Sequence, residues 1–208
     1  MDGTLLTSSH KISEHTANII KKIEDSGVKF MIATGRPFLD ARHYRDSLKL
    51  RSYLITSNGA RAHDEDNNPI VVENIPKELV KRLLNYKVGK DIHRNIYLDD
   101  DWIIEYEIDG LVEFHKESGY GFNIDDLSKY QNEEVAKVFF LGENKEIEDL
   151  EKKMKKDFKE MLSLVGKPFI MGNASKRLIE ALPNVEVIGN NNEDGIGEKL
   201  QEIFNIDL

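Results

Sequence analysis

Val28-Lys29-Phe30-Met31-Ile32-Ala33-Thr34-Gly35-Arg36-Pro37 is the stretch on which the fold turns. Its first six residues form an apolar run with one charge, the pattern of a strand buried on both faces. The run ends in a hydroxyl, a glycine and an arginine. Pro37 then suits the first turn of a helix, expected to reach about Leu50. Upstream, Ser13 is a good N-cap for a helix whose apolar residues recur at Ala17, Ile19, Ile20 and Ile23, a helical period. Gly27 supplies its stop. Downstream, Tyr53 to Thr56 reads as a second buried strand ending in Ser57-Asn58-Gly59-Ala60. Helix, strand, helix, strand at this spacing predicts an α/β fold with a parallel sheet.

From Arg61 the texture changes. Short β-like runs at Arg61-Ala62 and Ile70 to Val72 flank the polar turn His63 to Asn68. A helix is expected near Pro76 to Lys87, half-buried strands at Asn95 to Leu98 and Trp102 to Ile108, a strand at Val135 to Leu141, and a helix at Glu146 to Glu160. This is the pattern of an α+β module with an antiparallel sheet. The opening texture returns at the end, with strands at Pro168 to Met171 and Val185 to Ile188 and helices near Ser175 to Ala181 and Ile196 to Phe204. The organisation that follows is an α/β core from residues 1–60 and 161–208, interrupted by an inserted α+β domain over 61–160.

Composition narrows the classes of function. The 208 residues are 39% hydrophobic and 32% charged, with 14 Gly, 5 Pro and no cysteine. A chain of this size buries about 70% of its unfolded surface. The absence of cysteine excludes disulfide scaffolds, zinc ribbons, iron–sulfur clusters and thiol catalysis. No apolar run approaches the roughly 20 residues of a membrane span. A net charge of −9 argues against nucleic acid, whose phosphates need a basic surface. The expectation is an acidic cytoplasmic protein with no membrane and no nucleic-acid partner.

In open α/β sheets ligands bind beyond the carboxyl ends of strands. Thr34-Gly35-Arg36, Ser57-Asn58-Gly59 and Gly172-Asn173 stand at such ends. A hydroxyl, backbone N–H groups beside glycine and an arginine suit a cluster of anionic oxygens. The alternative for any one of them is an ordinary turn. The six histidines stand in no mutual metal spacing and read as surface or packing residues. Tyr97, Trp102, Tyr106 and Tyr120 could stack on a sugar, although core packing of the inserted domain is the commoner use of such residues.

Asp2-Gly3-Thr4-Leu5-Leu6, Ala33-Thr34-Gly35-Arg36-Pro37 and Thr56-Ser57-Asn58-Gly59-Ala60, in this order and spacing, resemble the haloacid dehalogenase (HAD) superfamily, and within it the Cof-type sugar-phosphatase branch. Met161 to Gly166, Met171 to Ala174 and Asn192 to Gly195 are similar to the same branch. The resemblance implies a Rossmann-like core with an inserted cap domain, and a Mg²⁺-dependent phosphatase acting on small phosphorylated metabolites such as sugar phosphates through an aspartyl-phosphate. Carried onto this chain, Asp2 is the catalytic acid/base, and its backbone carbonyl a metal ligand. Thr34 is the phosphate-binding hydroxyl, and Gly35, Arg36, Asn58 and Gly59 are phosphate or substrate contacts.

The chain also departs from the family pattern. The nucleophilic aspartate would stand two residues ahead of Asp2, on a hydrophobic first strand, and the sequence opens at Met1. Between Glu160 and Met161 the family carries several dozen residues, including a lysine and the acidic loop that holds Mg²⁺. The core is therefore expected to be incomplete. The alternative to a phosphatase is a shortened, non-catalytic relative that binds a phosphorylated ligand or serves as a structural module.

Overall fold

In the computed structural model, residues 1–111, 115–157, 169–174, 176–181, 183 and 185–205 are described. Helix α1 (Glu14–Asp25) begins at Ser13, whose Oγ accepts the Thr16 N–H at 3.1 Å. That bond satisfies one of the free N–H groups of the first turn. Ile19, Ile20 and Ile23 form the buried stripe. Gly27, at φ +89°, turns the chain out of the helix, in a conformation glycine adopts without steric cost.

Strand β1 (Ile32–Ala33) is shorter than the six-residue run that predicts it. It pairs in parallel with β2 (Leu54–Thr56), Ile32 opposite Leu54. Among the described residues nothing pairs with its other edge. Lacking a ladder on that side, the residues ahead of Ile32 do not join the sheet, and Met31 is 53% exposed. Helix α2 (Phe38–Ser47) follows Pro37 and stops short of Leu50. It buries Asp40, Ala41, Tyr44 and Arg45.

Strands β3 (Arg61–His63) and β4 (Pro69–Val72) extend the same sheet in antiparallel fashion, giving the order β1-β2-β3-β4. The carboxylate of Asp64 closes their turn by accepting the N–H groups of Asp66 and Asn68 at 2.9 and 2.8 Å. The sequence division at residue 61 thus cuts through a hydrogen-bonded sheet. By strand pairing the first unit continues to Val72.

The inserted unit comprises α3 (Lys77–Leu84), β5 (His93–Tyr97), β6 (Trp102–Ile104), β7 (Asn123–Ile124), β8 (Lys137–Leu141) and α4 (Asn144–Asp157). Its sheet has the order β7-β6-β5-β8, with β5 antiparallel to both β6 and β8. Alternation along the strands divides the core. On one face Ile96 and Ile103 pack with Val80 and Leu84 of α3. On the other, Tyr97, Trp102 and Ile104 pack with Leu111 and Tyr120. These aromatics are core, whereas Tyr106 is exposed and lies against His93. The part of the helix expected at Glu146 to Glu160 that lies beyond Asp157, and Met161 to Gly166, lie outside the described residues.

The tail forms β9 (Phe169–Met171), α5 (Lys176–Ala181), β10 (Glu186–Ile188) and α6 (Gly195–Phe204). Strands β9 and β10 are a parallel pair, not hydrogen-bonded to β1–β4 among the described residues. Helix α6 packs on α1. Gly197 makes that approach possible, since a Cβ there would stand 2.8 Å from Thr16 Oγ1. Asp194, just before α6, accepts hydrogen bonds from Ser13 and Thr16. Side-chain amides complete the junction: Asn173 donates to the Gly3 carbonyl at 3.0 Å, and Asn191 to that of Leu6 at 2.9 Å.

Candidate active site

The end of β1 and the end of β2 form one edge. Thr34 N–H donates to the Ile55 carbonyl at 2.9 Å, which carries the ladder one residue past β1. Asn58 N–H donates to the Thr34 carbonyl at 3.1 Å, and Ser57 N–H to that of Arg36 at 2.9 Å. The two turns are therefore stitched together by backbone. Asn58 sits at φ +59° and Gly59 at φ +97°, which lets β2 reverse tightly after Thr56. The Asn58 amide lies against Gly35, where a Cβ would meet its Oδ1 at 3.0 Å. The Thr34 hydroxyl accepts the Arg36 N–H at 3.2 Å. Thr34, Gly35, Asn58 and Gly59 thus come together as the sequence predicts.

Asp2 joins them through Arg36. The guanidinium donates Nε to Asp2 Oδ2 at 2.8 Å and Nη2 to Oδ1 at 2.5 Å, a two-pronged pairing that fixes both groups. Its Nη1 donates to Asp40 Oδ2 at 2.8 Å. Arg36 is 6% exposed, Asp40 fully buried and Asp2 48% exposed. Burial opposes the charge on Asp2, yet the Arg36 bonds outweigh it and hold the carboxyl below its usual pKa. The same balance, with both carboxylates acting on it, raises Arg36. Arg36 is thus an ion-pair hub between two acids, rather than an open cation at the edge.

Two contributors come from the inserted unit. His115 Nδ1 lies 2.8 Å from Asp40 Oδ2, and the Ser118 hydroxyl donates to Asp40 Oδ1. Burial disfavours ionised Asp40, but these bonds and the nearby His115 and Arg36 prevail, so its pKa is lowered. His115 therefore does more than pack. The second contributor is Lys137 at the start of β8, whose Nζ donates to the Gly35 carbonyl at 2.9 Å. Neither was predicted as a site residue: each is distant in sequence from the loop, and each stands in a segment that reads as ordinary fold.

Phosphotransferases of the HAD superfamily generally use Mg²⁺. Among the described residues no three His, Asp or Glu side chains converge as a metal site, and Arg36 occupies the Asp2 carboxylate. The residues described do not fit such an ion. No helix among them is long and apolar enough to cross a membrane.

The profile of the haloacid dehalogenase-like hydrolases matches residues 1–160 and again 159–200. A Haemophilus influenzae protein described provisionally as a phosphatase is 31% identical over 262 aligned positions, covering 100% of this chain and 96% of that protein. An HMP-PP phosphatase of Yersinia enterocolitica is 28% identical over 253 positions, covering 97% and 92%. Both alignments exceed the 208 residues of the chain, and the profile breaks at residue 160. Among solved structures, a subclass IIB sugar phosphatase of the superfamily superposes with a TM-score of 0.71 at 18% identity, covering 99% of this chain and 97% of that one. Profile, relatives and fold together place the chain in the haloacid dehalogenase-like hydrolase family.

Proposed function

We propose that the edge formed by Thr34, Gly35, Asn58 and Gly59 seats the phosphoryl group of a small phosphorylated metabolite, with Asp2 as the proton-handling group beside it. The observation that carries this reading is the stitched pair of turns, with Asp2 held at the same edge. The Thr34 hydroxyl accepts the Arg36 N–H and keeps its own proton to give to an anion, while the N–H groups flanking Gly35 and Gly59 are spent within the fold. A phosphatase role agrees with the curated relatives and a cytoplasmic location with the overall composition.

The state of Asp2 sets its chemistry. With Arg36 across both carboxylate oxygens, Asp2 is held ionised, and the same pairing makes it a weaker proton acceptor. To donate a proton to a leaving oxygen it must first be freed from Arg36, because the pairing holds its pKa down. Arg36 therefore acts on Asp2 as a positioning residue.

The test measures phosphate release from a panel of sugar phosphates, alongside calorimetric binding of orthophosphate, for the wild type and Thr34→Ala. Saturable binding that Thr34→Ala weakens at least tenfold supports the reading, and turnover extends it to a phosphatase. Failure of the wild type to bind orthophosphate would reject the site, and binding without phosphate release would reject only the phosphatase role.

A further inference from the structure

Among the described residues, the ammonium group that the inserted unit brings to the loop meets no acid. Lys137 Nζ reaches the Gly35 carbonyl at 2.9 Å, and that bond uses one of its three donors. It lies 5.3 Å from the ring centroid of Tyr97 and 5.0 Å from that of Phe139. Among the described residues it has no carboxylate partner, and burial alone lowers its pKa. The contrast with Arg36, shared between Asp2 and Asp40, is direct. A half-buried ammonium gives up part of its hydration without a counter-anion in return, and aromatic faces offset only some of that cost.

Resting on the proposed phosphoryl seat, we propose that Lys137 is an anion-binding residue of the site, its ammonium taking a non-bridging oxygen of the phosphoryl group held at Thr34-Gly35. The ligand then bridges the first unit and β8. The Gly35 carbonyl holds Lys137 in place, and the phosphoryl oxygens occupy its remaining donors. The charge supplied suits a phosphate dianion, which the negative neighbours Asp2 and Asp40 would otherwise repel.

Orthophosphate binding is measured by calorimetry at pH 7.5 for the wild type, Lys137→Met, Lys137→Arg, Thr34→Ala and the distant control Lys152→Met. Methionine keeps the stem between the rings and removes the charge. The expected result is at least tenfold weaker binding for Lys137→Met, affinity within about threefold for Lys137→Arg, and no change for Lys152→Met. Equal binding by wild type and Lys137→Met, with Thr34→Ala impaired, overturns the role of Lys137 and leaves the loop reading intact. No binding by the wild type rejects both. Should Lys137→Met not fold, acetylation of the wild-type protein followed by peptide mass mapping decides. Protection of Lys137 by orthophosphate supports the proposal, and unchanged labelling refutes it.

Discussion

Replacing Asp40 by alanine tests the junction between α2 and the inserted unit. Asp40 is fully buried and accepts from three side chains: Arg36 at 2.8 Å, His115 at 2.8 Å and Ser118. Removing one member of a buried charge pair costs about 3–5 kcal/mol, because the remaining charge is stranded. Here Arg36 keeps its bonds to Asp2, whose carboxylate is 48% exposed, so the lower end, about 3 kcal/mol, applies. With a urea dependence of about 2–3 kcal/mol per molar, the unfolding midpoint falls by about 1–1.5 M. The assay is urea denaturation followed by circular dichroism and by fluorescence of Trp102, the sole tryptophan. That ring lies 5.0 Å from the His115 ring, so its emission reports the junction directly. Arg36→Met in the Asp40→Leu background should recover much of the loss, since no charge is then left buried. A midpoint within about 0.3 M of the wild type for Asp40→Ala would show that the junction contributes little, because a shift that small corresponds to less than about 1 kcal/mol.

Three further outcomes are expected. Asp2 and Asp40 both have depressed pKa values in the fold. Their stabilisation is therefore complete above the unfolded carboxylate value near 3.9 and is lost as pH falls through the lower folded values. Acid titration of the urea midpoint should show a steep fall below about pH 4, shallower in Asp40→Ala. Ser13→Ala removes the N-cap of α1 together with its bond to Asp194, and should lower stability by about 1–2 kcal/mol in the same assay. Because the described residues do not converge on a metal, added Mg²⁺ or EDTA should change the orthophosphate affinity of this chain by less than about twofold; a tenfold gain with Mg²⁺ would reveal a site outside them.

Local signals in the sequence were legible and long-range ones were not. Ser13 and Gly27 bound α1 as expected, because capping depends on a few adjacent residues. The convergence of Thr34-Gly35 with Asn58-Gly59 was readable too, since parallel neighbours bring strand ends to one edge. The shortness of β1 was not, because a strand's length depends on having partners at both edges. Arg61 and Ala62 resembled the start of the antiparallel module, yet they pair with β2. In the site, the bonds of Asp40 to His115 and Ser118 span 75 and 78 residues. Lys137 falls inside the strand expected at Val135 to Leu141, and only the docking of β8 against Gly35 gives it a place.

The bonds that tie the opening residues to the tail have a consequence for the order in which the molecule comes together. Asn173 to Gly3, Asn192 to Ser8 and Asn191 to Leu6 join residues separated by 170, 184 and 185 positions. Contacts of such high sequence separation form late, after nearer pairings have shortened the effective loop between them. The Thr34 to Arg36 turn needs only β2, about twenty residues on, and Asp40 is within one helical turn of Arg36. Asp2 belongs to the late-closing segment. By this reasoning the turn at Thr34 to Arg36 and the Arg36–Asp40 pair are expected to form first, and the Asp2 pairing with the segment that closes last.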